Sequence, residues 1–211
     1  MRTSWARAWI AAVGLLAAAS AIARTRNSVL LSVEKPVMDW LLDGTDTTIW
    51  DRTAVFSADW LLIGGTIMIA LIGFLLEIRV GIAVVVTSLF TLVLTQLVSS
   101  IVGRTSPQGE TGTWSFPDPT IAHTGVFWGL VVLLLWWVGT PKLIWQIVLE
   151  LAVVMTLLVS IRLIVAAQIW PSDAAGSAII IAVALITTAI VLEANPPQLP
   201  TRNRDRDLAA A

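Results

Sequence analysis

Long apolar runs separated by short polar links dominate the chain. Six such runs fall at about 5–23, 60–77, 80–103, 122–139, 143–167 and 174–193. A membrane helix needs about 20 mostly apolar residues to cross roughly 30 Å of hydrocarbon, so each run predicts a span. Between the first two lies a polar stretch, Arg24 to Asp59. Within it Leu30, Val33, Val37 and Leu41 recur at near-helical spacing beside Trp40, and Gly44 follows. This predicts an amphipathic helix lying in the outer interface, with Pro36 marking a break or a first turn. After the last run, residues 194–211 combine prolines with alternating charges and read as a disordered cytoplasmic tail. The expected architecture is all-α: a six-transmembrane helix bundle in a single membrane domain, residues 1–193, with an outer interfacial helical segment between spans one and two.

Composition agrees with a membrane protein. Apolar residues make up 57% of the chain and charged residues 13%, against roughly 45–50% and 25% in soluble domains. Mean hydropathy is +0.85. The net charge of −1 provides no basic field for nucleic acid, so no nucleic-acid partner is expected. There is no cysteine, which removes disulfides, thiolate metal sites and cysteine nucleophiles. The single histidine, His123, removes multi-histidine metal sites and any mechanism that needs two imidazoles. No metal and no other cofactor is expected.

Six spans put both termini on one side. With them would lie Arg2, Arg7, Arg79, Lys142, Arg202, Arg204 and Arg206, against Arg24, Arg26, Lys35, Arg52, Arg104 and Arg162 on the other. The slight basic excess predicts cytoplasmic termini. Trp5, Trp9, Trp60, Trp114, Trp136, Trp137, Trp145 and Trp170 fall at span ends, where indoles anchor at headgroup level. The first span has a rival reading. Arg2 and Arg7, an apolar stretch and Ala21-Ile22-Ala23 before Arg24 also fit a cleavable signal peptide.

Charges inside a span are costly and ask for a reason. Glu150 lies roughly two turns into the fifth span; it is read either as a snorkelling carboxyl or as a relay group. Arg162 is about 18 Å further along, too far to pair with it. Arg104 ends the third span, His123 starts the fourth and Asp173 starts the sixth. Four ionisable groups, Arg104, His123, Arg162 and Asp173, thus converge on the outer face from four segments, as a site candidate or a salt-bridge network. Gly125 and Gly129 form a GxxxG for close helix approach, within the bundle or between copies.

Three segments resemble one family in order and placement. They are Gly103-Arg104-Thr105-Ser106-Pro107, then Ser115-Phe116-Pro117-Asp118-Pro119-Thr120-Ile121-Ala122-His123, then Trp170-Pro171-Ser172-Asp173-Ala174-Ala175-Gly176. They are similar to the three motifs of the type-2 phosphatidic acid phosphatase and haloperoxidase superfamily, membrane lipid-phosphatase branch. The resemblance covers about 60–193 and implies the six-span fold. In the family, a third-motif histidine attacks phosphorus, oriented by that motif's aspartate. A second-motif histidine protonates the leaving oxygen, and a lysine and arginines cradle the phosphate.

Carried over residue by residue, most of that machinery is missing here. The lysine position falls on Ser99 and the arginine before proline on Ser106. Arg104 matches an additional arginine of the longer run. The acid histidine is Thr120, and His123 matches a later, non-catalytic histidine. Counting back from Asp173 puts Ile169 at the nucleophile position; counting forward from Arg162 puts Gln168 there. Asp173 keeps the orienting position. Asp118 adds a negative charge where an anionic substrate would sit, and Pro119 replaces a flexible glycine.

The resemblance therefore implies a phosphatidic acid phosphatase-like integral membrane protein without catalysis. It would bind a lipid headgroup through Arg104, Arg162 and His123, or serve as a subunit of another membrane enzyme. Two alternatives stand beside it. One is a rewired lipid-phosphate phosphatase acting on phosphatidic acid or polyprenyl phosphate, with His123 or Asp118 as nucleophile and Asp173 assisting. The other is a small transporter using Glu150. Arginine usage and the absence of cysteine suit a bacterial cytoplasmic membrane, with the site facing outside.

Overall fold

Apolar stretches joined by very short links leave the chain little choice but to fold back on itself as antiparallel helices. A computed structural model describes residues 2–43, 59–107 and 115–194. Their helices are α1 (Arg2–Thr25), α2 (Asn27–Leu42), α3 (Asp59–Leu76), α4 (Ile78–Val102), α5 (Pro119–Val138), α6 (Lys142–Val165) and α7 (Pro171–Ala194). The predicted tail beyond Ala194 lies outside the described residues, as do Gly44, Glu110 and Trp114.

The all-helical expectation holds among the described residues; the six-span count is not confirmed. Five helices are long and apolar enough to cross a membrane: Ser4–Thr25, Ile78–Val102, Pro119–Val138, Lys142–Val165 and Pro171–Glu193. The predicted second span contains a shorter apolar helix, Leu61–Leu76. At 1.5 Å per residue it rises about 24 Å, short of roughly 30 Å of hydrocarbon. It stops because Glu77 adopts an extended conformation, φ −162° and ψ 133°, and α4 begins at the next residue. The turn is tight because Gly73 and Gly81 face each other. A Cβ on Gly73 would lie 3.0 Å from the Gly81 backbone.

The interfacial segment is helical, and the residues it turns toward the bundle include an acid. Val33, Val37 and Trp40 are exposed, while Glu34 and Met38 are buried and Leu30 and Leu41 half-buried. The helix therefore turns a carboxylate inward, with apolar residues on both flanks. Pro36 neither breaks α2 nor starts it; the helix runs on from Asn27 to Leu42. The Pro36 ring lies on the exposed side of the helix.

The bundle closes through α1, α4, α5 and α7. Trp5 Nε1 donates to Glu193 Oε1 at 2.8 Å, and Trp9 Nε1 to Thr187 Oγ1 at 2.9 Å. These two indoles thus tie α1 to α7 and hold the start of α1 beside the end of α7. Leu16 and Ala23 share a buried cluster with Val98, Phe116 and Ile180, so α1 is part of the core. Gly125 and Gly129 pack within the chain: a Cβ on either would collide with Ile181 or Leu185 of α7. Along α4, Thr87, Thr91 and Thr95 are buried, and each hydroxyl bonds the carbonyl four residues back. Thr87 also meets Thr188 of α7 at 2.5 Å. In a water-free interior such back-bonding satisfies hydroxyls that have no solvent partner. Helix direction then brings the ends of α1, α4 and α6 to one end of the bundle, with the starts of α5 and α7.

Candidate functional site

Gly103 sets the geometry of that end. It ends α4 in the left-handed region, φ 63°, where glycine carries no Cβ penalty, and its N–H bonds the Ser99 carbonyl at 2.9 Å. The next residue, Arg104, turns into the protein and is 2% exposed. Its guanidinium meets three groups. Nη1 donates to Asp173 Oδ1 at 2.9 Å and to Ser172 Oγ, and Nη2 pairs with Glu34 Oε2. The Trp170 ring lies 5.4 Å from the guanidinium carbon, within cation–π range.

The start of α7 is fixed by its own sequence. Pro171 follows Trp170, and proline is pre-organised for a first helical position. Asp173 reaches back so that its Oδ2 accepts the Trp170 N–H at 2.8 Å, as the third helical residue does in a capping box. Both carboxylate oxygens of Asp173 are thereby engaged, and the residue is fully buried. Glu34 completes the arrangement: its Oε1 accepts the Ser172 N–H at 2.8 Å. One buried cation thus holds two buried carboxylates, one from α7 and one from α2.

The middle segment packs alongside. Ser115 N–H bonds the Arg104 carbonyl at 2.8 Å. Phe116 is buried against Gly176, where a Cβ would lie 2.6 Å from the ring, so the phenylalanine of one motif requires the glycine of another. Asp118 caps α5, accepting the Ile121 N–H at 2.9 Å. Burial pushes its carboxyl up from 3.8 to about 6, partly offset by hydrogen bonds from the Ile121 and Thr120 backbone. Ser177 Oγ joins the two motifs, bonding both the Asp118 and the Asp173 carbonyls at 2.9 Å.

The remaining expected residues are distributed around this end. Arg162 is half-buried in the last turn of α6. His123, in the first turns of α5, lines an apolar cavity of about 440 Å³ between α3, α4 and α5, with Leu62, Thr66, Ser88, Leu92 and Phe127. Ser99 is buried and bonds the Gln96 carbonyl at 3.0 Å, while Ser106 and Thr120 are half-buried. Of the two nucleophile positions, Gln168 is exposed, whereas Ile169 is 2% exposed and packs with Ile121, Val159 and Leu163. Glu150 is exposed on α6, in the half of that helix away from this end. Among the described residues no group of acids and histidine has the makings of a metal site.

Sequence reasoning missed Glu34, Ser172 and Ser177. For Glu34 a signal existed: Leu30, Glu34, Met38 and Leu41 are also spaced as one helical face.

No family model matches the chain, and no curated protein matches it in sequence. A solved structure does. It is a transmembrane PAP2 type phosphatidylglycerolphosphate phosphatase from Bacillus subtilis, with TM-score 0.73 and 14% identity. The match covers 92% of this chain and 98% of that one. At that identity the likeness is one of fold. With five helices of membrane-crossing length, the chain is an integral membrane protein whose fold is similar, over nearly its whole length, to that of a membrane PAP2-type phosphatase.

Proposed function

We propose that this chain is a lipid-binding membrane protein that keeps the phosphatase fold without the hydrolysis. Ile169 carries the reading. Counting back from Asp173, it stands where phosphorus would be attacked, and it is an alkyl side chain packed in an apolar cluster. Asp173, which would orient a nucleophile, has one oxygen on Arg104 and the other on the Trp170 amide. Asp118 caps a helix, which argues against its service as a replacement nucleophile. The apolar cavity beside His123 suits an acyl chain, and the proposed headgroup residues Arg104 and Arg162 lie at the same end of the bundle, Arg104 paired there with Asp173 and Glu34.

The wider setting follows the same reading. The chain would sit in a bacterial cytoplasmic membrane with α3 as a sixth crossing, both ends cytoplasmic and the Arg104 end outside. The Trp5–Glu193 bond supports an even number of crossings, because it joins the start of α1 to the end of α7. Membrane lipid is the proposed partner; the alternative is service as a subunit of another membrane enzyme.

Phosphate release by the purified protein from phosphatidic acid, phosphatidylglycerolphosphate and polyprenyl phosphates tests this. The expected result is no release above that of the His123→Ala variant. Release that vanishes in His123→Ala or Asp118→Asn would establish a rewired hydrolase instead.

A further inference from the structure

Glu34 is an acid brought from outside the motifs into the place where an anion would bind. Its two oxygens take a guanidinium N–H of Arg104 and the backbone N–H of Ser172, in the first turn of α7. Those two donor types, a buried arginine fork and a helix N-terminus, are the ones proteins use for phosphate and other oxyanions. The guanidinium has more to offer than it gives: Arg104 Nε is buried without a hydrogen-bond partner. Glu34 comes from outside the three motif segments, on a helix held to the bundle by Met38 and Leu30. It belongs to α2, which joins α1 through Arg26 alone and carries exposed Val33, Val37 and Trp40 on its other side. Asp173, by contrast, is fixed within α7 by its bond to the Trp170 amide.

We propose that Glu34 is a built-in competitor: Arg104 and the first turn of α7 form a site for a monoanionic oxyanion, the phosphodiester of a lipid headgroup, which α2 keeps closed with its own carboxylate. This rests on the lipid-binding reading above. Charge sets the ligand class. Arg104 already faces Asp173 and Glu34. Replacing one carboxylate by one monoanion leaves the buried charge unchanged. A phosphomonoester approaching charge −2 would add an uncompensated negative charge in a desolvated site, which is strongly unfavourable. The site therefore selects diesters over monoesters. A headgroup in competition with Glu34 binds with an affinity reduced by the fraction of molecules in which α2 has lifted.

The test uses the full chain in phosphatidylcholine nanodiscs. Its unfolding midpoint is followed as phosphatidylglycerol, phosphatidic acid or inorganic phosphate is added. Glu34→Ala and Glu34→Gln leave Arg104 paired with Asp173, so neither strands a lone buried cation. Both variants are expected to gain apparent affinity for phosphatidylglycerol over the unsubstituted protein by on the order of tenfold. Phosphatidic acid should gain less, and Arg104→Ala added to Glu34→Ala should abolish the gain. Variants no more responsive than the parent, or a gain that survives loss of Arg104, would overturn the proposal. An equal gain with phosphatidic acid would overturn the selection of diesters. A gain with inorganic phosphate but not with phosphatidylglycerol would overturn the lipid assignment. Lipid-phosphate hydrolysis by the parent protein would refute the non-hydrolytic reading and leave the Glu34 comparison standing, so the two failures are told apart.

Discussion

Removing the Arg104 side chain leaves two buried carboxylates with no cation between them. Breaking a buried pair from one side costs about 3–5 kcal/mol, because the desolvation of the remaining charge is no longer offset. Arg104→Ala is therefore expected to lower the unfolding midpoint sharply, and more than Glu34→Ala, which leaves one pair intact. Thermal unfolding in detergent compares them directly. Asp118 gives a pH dependence of definite sign. Its folded-state pKa of about 6 lies above the ordinary 3.8, so the folded protein holds that proton more tightly. Its contribution to stability is full below about pH 4 and is lost as pH rises through about 6. Asp118→Asn keeps a capping side chain but cannot titrate. The parent should lose more stability than the variant between about pH 4 and pH 7, and a profile identical for both would count against a buried, proton-holding Asp118.

At the scale of elements, two close approaches decide which helices are neighbours. Gly125 and Gly129 let α5 lie against Ile181 and Leu185 of α7. A leucine at 125 would have to displace Ile181, and overpacking of this kind costs typically about 1–3 kcal/mol. Gly125→Leu should lower the unfolding midpoint, and Ile181→Ala in the same chain should restore part of the loss. Failure of that rescue would mean the two positions do not share a contact. These glycines were legible in the sequence as a close-packing signal, though not whether they served the bundle or a dimer. The α2 helix shows the opposite case. Its existence, and a face made of positions 30, 34, 38 and 41, could be read from spacing, but not that Arg104 would be the partner of Glu34. That partner is seventy positions away, beyond the reach of any pattern within the segment.

For the whole molecule, the fold resembles that of a membrane phosphatase, and that chemistry is proposed to be absent. The five membrane-length helices and the match over 92% of the chain establish the scaffold. The proposed absence of phosphate release rests on the residues there: Ile169 or Gln168 where the motif resemblance expects a nucleophile, and an arginine already holding two carboxylates. Fold alone does not carry activity, which belongs to the groups placed on it.

The sequence by itself determined the helices, because burying backbone in hydrocarbon leaves helices as the form in which each segment satisfies its own amides. The resemblance to the phosphatase motifs, and the absence of histidine from the positions that resemblance points to, were likewise read from the sequence, since identity at a position needs no coordinates. Tertiary structure decided the rest. Gly103 turned Arg104 inward, Phe116 met Gly176, and α2 brought Glu34 onto Arg104 and the Ser172 amide. Those outcomes depend on which helix ends meet in space, and hydrophobic periodicity along one segment carries no information about its partner.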